Sequence, residues 1–144
     1  MERCKVKSKN EKGKRLIQFI IPMEGNKKMV SIKERAYFFC LKLIKFIDSL
    51  NSKDMTTQII TKQLLRSGTS IGANIVEAQA GSSKKDFANF YTHALKSANE
   101  TKFWIGLLRD SNKSNKETAN NLLKETREIA NILGSSILTL KRKK

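Results

Sequence analysis

Two glycines four residues apart, Gly68 and Gly72, stand in the stretch RSGTSIGANIVEAQAG over residues 66–81. A pair like this serves one of two purposes. It lets a loop cradle a phosphate with backbone N–H groups, or it lets two helix backbones approach closely, because the side chains at a helix contact set the interaxial distance. A phosphate loop requires G-x-x-x-x-G-K-[ST] after a strand. Here the lysine is missing and the surrounding pattern is helical. Gly68 and Gly72 share one edge of that helix with Ser67, Ser70 and Ala73. They are read as a packing device, each costing about 1 kcal/mol against Ala in a helix. Asn74 and Glu77 follow as N-x-x-E on one face. Two readings stand for this pair: a polar cluster that sets helix register, or a solvated Glu77, since a buried carboxylate needs a partner.

Little else in the chain has the makings of a catalytic site. His93 is the single histidine, and no acidic or cysteine residues stand at metal-ligand spacing around it. Cys4 and Cys40 are the only cysteines, too few for a disulfide framework or a C-x-x-C site. Cys40, within FFCL, reads as core filler. No catalytic residues, no metal and no cofactor are expected, and the protein is read as non-enzymatic. A reduced, cytoplasmic setting fits the cysteine usage. No apolar run approaches the length of a membrane span, and LIQFII over 16–21 is too short for a signal-peptide core.

Charge points elsewhere. The formal net charge is +16, with +6 in residues 1–30 and +4 in the final KRKK. Such an excess attracts polyanions and makes their binding steeply salt-dependent. Six basic residues are placed as nucleic-acid contacts. Lys42 and Lys45 share one side of the first helix, Lys62 and Arg66 form an i, i+4 pair on the second, and Lys84 and Lys85 open the third. The last two stand against the helix dipole, which disfavours cations at an N-terminus. RNA or DNA is the expected partner; scattered solvated lysines are the alternative.

Four helices must position these residues. The first is expected over 32–50, opened by a Ser31/Glu34 capping box, with Ile32, Ala36, Phe39, Leu43, Phe46 and Leu50 recurring every three or four positions. The second spans about 55–80, with Ile60, Leu64, Ser67, Ile71, Asn74 or Ile75, and Ala78 on one stripe and Gly81 as its C′ residue; like stripes run through the third (Phe87, Tyr91, Ala94, Ala98, Thr101, Ile105, Leu108) and the fourth (Leu122, Thr126, Ile129, Leu133, Ser136, Leu140). The third spans 84–110 behind Ser83/Asp86. The fourth spans 115–141 behind Ser114/Glu117. After residue 31 no proline interrupts the chain. Short turns between such helices impose antiparallel neighbours, an all-α up-down-up-down four-helix bundle over 31–144. Residues 1–30 form a basic N-terminal arm, extended or poorly ordered, in which KRLIQFIIP over 14–22 suits a short strand. Met23 and Met29 offer alternative starts, which a mass measurement of the native protein distinguishes.

Two helices carry more apolar faces than a lone bundle needs. Tyr37, Phe38 and Leu41 fall outside the core stripe of the first, and Phe103, Trp104 and Leu107 outside that of the third. Monomers rarely expose such patches, so these six residues are assigned to a homo-oligomer interface. The alternative, that the N-terminal arm covers the first helix, leaves the Phe103–Leu107 end uncovered.

The segment QLLRSGTSIGANIVEAQAGSSKKDFANFYTHALKSANETKFWIGLL, residues 63–108, resembles the bacterial four-helix bundle proteins encoded in 23S rRNA intervening sequences. The residues that carry the resemblance include Gln63, Arg66, Ser67, Ser70, Asn74, Glu77, Ser83, Phe87, Ser97 and Glu100. Ala78 stands where that family usually has glycine. The resemblance implies a homopentamer without catalytic residues. A related branch, the accessory protein of diversity-generating retroelements, is similar in fold and strongly basic. It implies a reverse transcriptase as a possible partner.

Overall fold

The computed structural model describes residues 5–9, 15–20 and 29–142. Three short strands come first: β1 (Lys5–Lys9), β2 (Arg15–Ile20) and β3 (Met29–Ser31). They pair antiparallel in the order β1-β2-β3, with Lys9 opposite Arg15, Gln18 opposite Ser31, and a bulge between Val6 and Ser8. The β2 segment is the short-strand stretch expected within the arm. Residues 1–4, 10–14 and 21–28 of the arm, and the last two residues of KRKK, lie outside the described residues. Four helices follow: α1 (Ile32–Asp48), α2 (Met55–Ala80), α3 (Lys84–Asp110) and α4 (Lys116–Arg142). They pack antiparallel as a four-helix bundle, with α2, α3 and α4 about 40 Å long and α1 shorter. Among the described residues no helix is long and apolar enough to cross a membrane.

The helix ends follow from local chemistry. At α1 the Ser31 hydroxyl accepts from the Glu34 N–H at 3.2 Å, and the Glu34 carboxylate accepts from the Ser31 N–H at 3.0 Å, so the capping box is complete. α1 stops two residues before the expected Leu50, because Ser49 and Leu50 turn back onto the Phe46 and Ile47 carbonyls. Asp54 caps α2. Gly81 departs from the left-handed C′ geometry expected of it. Its φ of −64° and ψ of 149° are extended, and a Cβ there would lie 3.1 Å from the Ala78 carbonyl and 3.4 Å from Asp86 Cβ. Glycine is therefore used at this turn for close approach.

The expected boxes at α3 and α4 are only partly formed. Ser83 accepts from the Asp86 N–H at 3.1 Å, but the Asp86 carboxylate accepts from Ser82 Oγ instead of answering Ser83. At α4 the cap is Asn115, whose Oδ1 accepts from the Thr118 N–H at 3.0 Å. Ser114, the expected cap, keeps a buried hydroxyl without a partner among the described residues. The cause lies upstream. Asn112 takes φ 58°, the left-handed conformation that Asn tolerates, and Lys113 N–H closes onto Leu108 O at 3.0 Å. This reversal shifts the start of α4 by one residue.

The core is the expected periodic set. Phe39 and Leu43 of α1, Leu64, Ile71 and Ile75 of α2, Tyr91 and Ile105 of α3, and Ile129 and Leu133 of α4 are fully buried. Small residues draw α2 and α3 together. Ser67 and Thr101 hydroxyls lie 3.0 Å apart, as do those of Ser70 and Ser97. At the turn end of the bundle, the Asp54 carboxylate accepts from Lys113 Nζ at 2.7 Å, Thr57 Oγ1 at 2.6 Å and the Thr57 N–H at 3.0 Å. The hydrogen bond from Lys113 is the largest influence, and the carboxyl titrates at about 2 rather than 3.8. A depressed folded pKa means stability that is present above the ordinary value and lost as pH falls toward 2. Asp54→Asn is expected to be less stable at neutral pH and to show a shallower acid limb in urea melts between about pH 4 and pH 2. An acid limb as steep as that of the wild type contradicts this assignment.

Candidate nucleic-acid interface

The six basic residues marked in the sequence do not gather in one patch. Lys42 and Lys45 are exposed on α1, and Lys62 is exposed near the start of α2. Lys84 and Lys85 are exposed at the start of α3, past the other end of α2, about 27 Å of helix from Lys62. None of these five has an ion-pair partner among the described residues. Arg66 differs. Its guanidinium pairs with the Glu100 carboxylate across the α2–α3 contact, and its Nε donates to Gln63 Oε1 at 3.3 Å. Glu100 Oε1 also accepts from Trp104 Nε1 at 3.2 Å. Arg66 is 61% exposed, so the pair contributes at most about 1 kcal/mol.

The six apolar residues assigned to an interface form two separate faces. On α1, Tyr37, Phe38 and Leu41 are 64%, 56% and 43% exposed, so the described part of the arm leaves them open. Tyr37, Phe38, Cys40, Gly72, Ala73 and Val76 line a groove of about 410 Å³ between α1 and α2. Cys40 is half-buried on its wall, and burial raises its thiol pKa. On α3, Phe103 and Leu107 are exposed, while Trp104 packs half-buried, edge-on to Phe103 with ring centroids 4.9 Å apart.

The structure divides the two glycines. A Cβ on Gly68 would lie 2.1 Å from Leu43 Cδ2, whereas one on Gly72 would meet Cys40 Sγ at 3.6 Å and Ala36 Cβ at 3.9 Å. Both face α1, but only at Gly68 must a neighbour, the tip of Leu43, move to admit a methyl group. Asn74 Nδ2 donates to the Ser70 carbonyl at 2.8 Å and to Ser70 Oγ at 3.0 Å, so Asn74 joins the polar seam between α2 and α3. Glu77 is exposed, with no side-chain partner among the described residues. His93 is exposed.

One polar cluster was not singled out in the sequence. Arg35, only 4% exposed, donates from Nε to Glu125 Oε1 at 2.7 Å and from Nη2 to Glu125 Oε2 at 3.1 Å, and it also pairs with Glu128. Burial works against its charge. Glu125 and then Glu128 outweigh that penalty and hold the guanidinium above its ordinary pKa. The cluster ties α1 to α4. A signal for it exists: Arg35 lies three residues after Ile32 and four before Phe39, beside the core stripe, and Glu125 and Glu128 share a face at i, i+3.

Fold and surfaces together define a class: an antiparallel helical bundle with a polar seam, two unmatched apolar faces and an unbalanced basic exterior. More narrowly, the chain belongs to the family of 23S rRNA-intervening sequence proteins, whose model matches residues 28–135. The resemblance drawn from residues 63–108 agrees. A crystal structure of a protein of unknown function from the S23 ribosomal protein family of Bacteroides thetaiotaomicron is 36% identical, with a TM-score of 0.69. The match covers 74% of this chain and 97% of that one. No functionally curated protein matches the chain.

Proposed function

We propose that this protein is a non-enzymatic, oligomeric four-helix bundle that binds RNA or DNA through its basic surface. The placement of charge supports this reading. Most carboxylates of the described helices are held within the protein. Glu34 and Asp86 bond at helix caps, and Asp54, Glu100, Asp110, Glu125 and Glu128 pair with Lys113, Arg66, Arg109 and Arg35. Lys42, Lys45, Lys62, Lys84 and Lys85 stand exposed and unpaired among the described residues. Fields of one sign raise the local concentration of a polyanion. Repetition of such a surface around an oligomer multiplies weak contacts into avidity. A salt series with labelled RNA and DNA tests it. Affinity is expected to fall linearly in log–log form as salt rises. No binding even near 50 mM salt sinks the reading.

The two apolar faces favour the oligomer, since two different faces on one protomer suit a head-to-tail contact that closes into a ring. Light scattering is expected to give a mass several-fold above 16.4 kDa; a monomer contradicts it. A purely structural or protein-binding role, such as an accessory subunit of a reverse transcriptase, draws support from the open α1–α2 groove alone. In that case the oligomer persists while nucleic-acid binding is absent.

A further inference from the structure

We infer that the outer groove between α3 and α4 is a seat for a nucleic-acid phosphate backbone, with Lys102 and Arg127 as its central contacts. This rests on the nucleic-acid reading above and locates it on a face outside the six basic residues marked in the sequence. Register brings the pair together. Arg109 Nη1 donates to Asn120 Oδ1 at 2.9 Å, which marks residues 109 and 120 as level in the antiparallel pair. Stepping seven residues along each helix from that anchor puts Lys102 level with Arg127. A further three or four puts Asn99 level with Asn131.

Nothing nearby neutralises the two cations. The neighbours of Lys102 at three and four positions are Ala98, Asn99, Ile105 and Gly106; those of Arg127 are Leu123, Lys124, Ala130 and Asn131. None is acidic. The carboxylates of these helices are turned elsewhere. Glu125 and Glu128 face Arg35 on α1, Glu100 faces Arg66 on α2, and Asp110 is held by Arg109. Glu117, in the first turn of α4, lies ten residues from Arg127, roughly 15 Å along the helix. Lys102 is half-buried, Lys124 and Arg127 are exposed, and none of the three has an ion-pair partner among the described residues. Two cations side by side without a counter-charge repel, and a phosphate relieves that repulsion.

The lining suits a backbone ligand. Asn99 and Asn131 are exposed with no side-chain hydrogen bond among the described residues, and Asn is a common donor to phosphate and sugar oxygens. A Cβ on Gly106 or on Gly134 would meet no atom within 4 Å, so the groove is open at both places. Protein interfaces, by contrast, centre on aromatic and apolar anchors. In this molecule Phe38 lies on α1, Phe103 stands four residues from Asn99 at the edge of the groove, and Leu138 lies four residues beyond Gly134, so none of them is three or four positions from Lys102 or Arg127. The observations therefore favour nucleic acid over an acidic protein.

The test compares the full chain with Lys102→Gln/Arg127→Gln and with Lys33→Gln/Lys53→Gln, which removes two exposed charges elsewhere. The probes are labelled single-stranded RNA of mixed sequence and labelled poly-glutamate. The groove variant is expected to bind RNA about tenfold more weakly near 100 mM salt, with a log–log salt slope shallower by about 1.4, the value for two phosphates of a single strand. The comparison variant should change by less than about twofold. Equal losses in both variants mean net charge governs, and no loss in the groove variant means the groove is unused; either overturns the inference while the nucleic-acid reading stands. Poly-glutamate bound as tightly as RNA, and weakened equally by the groove substitutions, overturns it in favour of an acidic polypeptide. Failure of the wild type to bind RNA removes both readings.

Discussion

Glu125→Ala combined with Glu128→Ala is expected to lower the unfolding free energy by about 3–5 kcal/mol, the usual effect of stranding a buried charge. Arg35 is 4% exposed, and these two carboxylates are its ion-pair partners. Without them the guanidinium keeps its charge, because arginine does not deprotonate in proteins, and it must either remain desolvated or pull α1 outward to reach water. The two carboxylates are less demanding. Glu125 is 23% and Glu128 41% exposed, so each re-hydrates when Arg35 is removed. The effect is therefore asymmetric. Arg35→Met, which keeps an apolar stem of similar length, is expected to cost about 1–2 kcal/mol, and added to the double glutamate variant it should restore most of the loss, as apolar replacements of buried ion clusters do. Urea melts at one fixed protomer concentration measure this, since association shifts apparent stability. A double glutamate variant within 1 kcal/mol of wild type, or no recovery with Arg35→Met, would refute the clamp.

Gly68 and Gly72 should respond in opposite directions to the same substitution. Ala at position 72 meets ordinary van der Waals neighbours, so it gains up to about 1 kcal/mol of helix propensity. At position 68 the new Cβ overlaps Leu43 Cδ2, and Leu43 is fully buried, so its tip must shift within a packed core where Phe39 Cε1 is also within 4 Å of the new carbon. Overpacking of this kind costs about 1–3 kcal/mol, against which propensity returns about 1 kcal/mol. Gly68→Ala is thus expected to lose up to about 2 kcal/mol, and Gly68→Val more, since a β-branched residue adds bulk and regains less propensity. Leu43→Val removes the terminal carbon in conflict. In a double-mutant cycle with Gly68→Ala it should show a favourable coupling of about 1 kcal/mol. Identical melts for Gly68→Ala and Gly72→Ala would contradict the close approach of α1 at Gly68.

Much of the architecture was legible before any coordinates. The stripes from Ile32 to Phe46, Leu64 to Ala78, Tyr91 to Leu108 and Leu122 to Leu133 became the buried faces of α1 to α4. Amphipathic periodicity is a local property, readable within a few turns of chain. The Ser31/Glu34 box was readable for the same reason, since both partners lie in one turn. At α4 the same template pointed to Ser114. The helix began one residue later because Asn112 reversed the chain, and no pattern of cap residues encodes a backbone turn upstream. Gly81 was placed correctly at a helix end but for the wrong geometry: its backbone is extended, and a Cβ there would crowd the Ala78 carbonyl of its own helix first and Asp86 of the next helix second.

The surfaces were less legible than the core. Helical phase showed that Tyr37, Phe38, Leu41, Phe103 and Leu107 point outward, since phase is local. Phase also grouped Arg66 with Lys62, yet Arg66 meets Glu100, which stands 34 residues away. Arg35 and Glu125 are 90 residues apart, and only the α3–α4 register sets Lys102 level with Arg127. By itself, then, the sequence determined the four helices, their inner faces, the surplus apolar faces and the excess of positive charge, because each follows from composition or short-range period. The tertiary structure alone decided which glycine is crowded, which arginine is buried and which surface cations are left without a carboxylate partner among the described residues. Those outcomes depend on how helices slide and turn against one another, and no single helix carries that information.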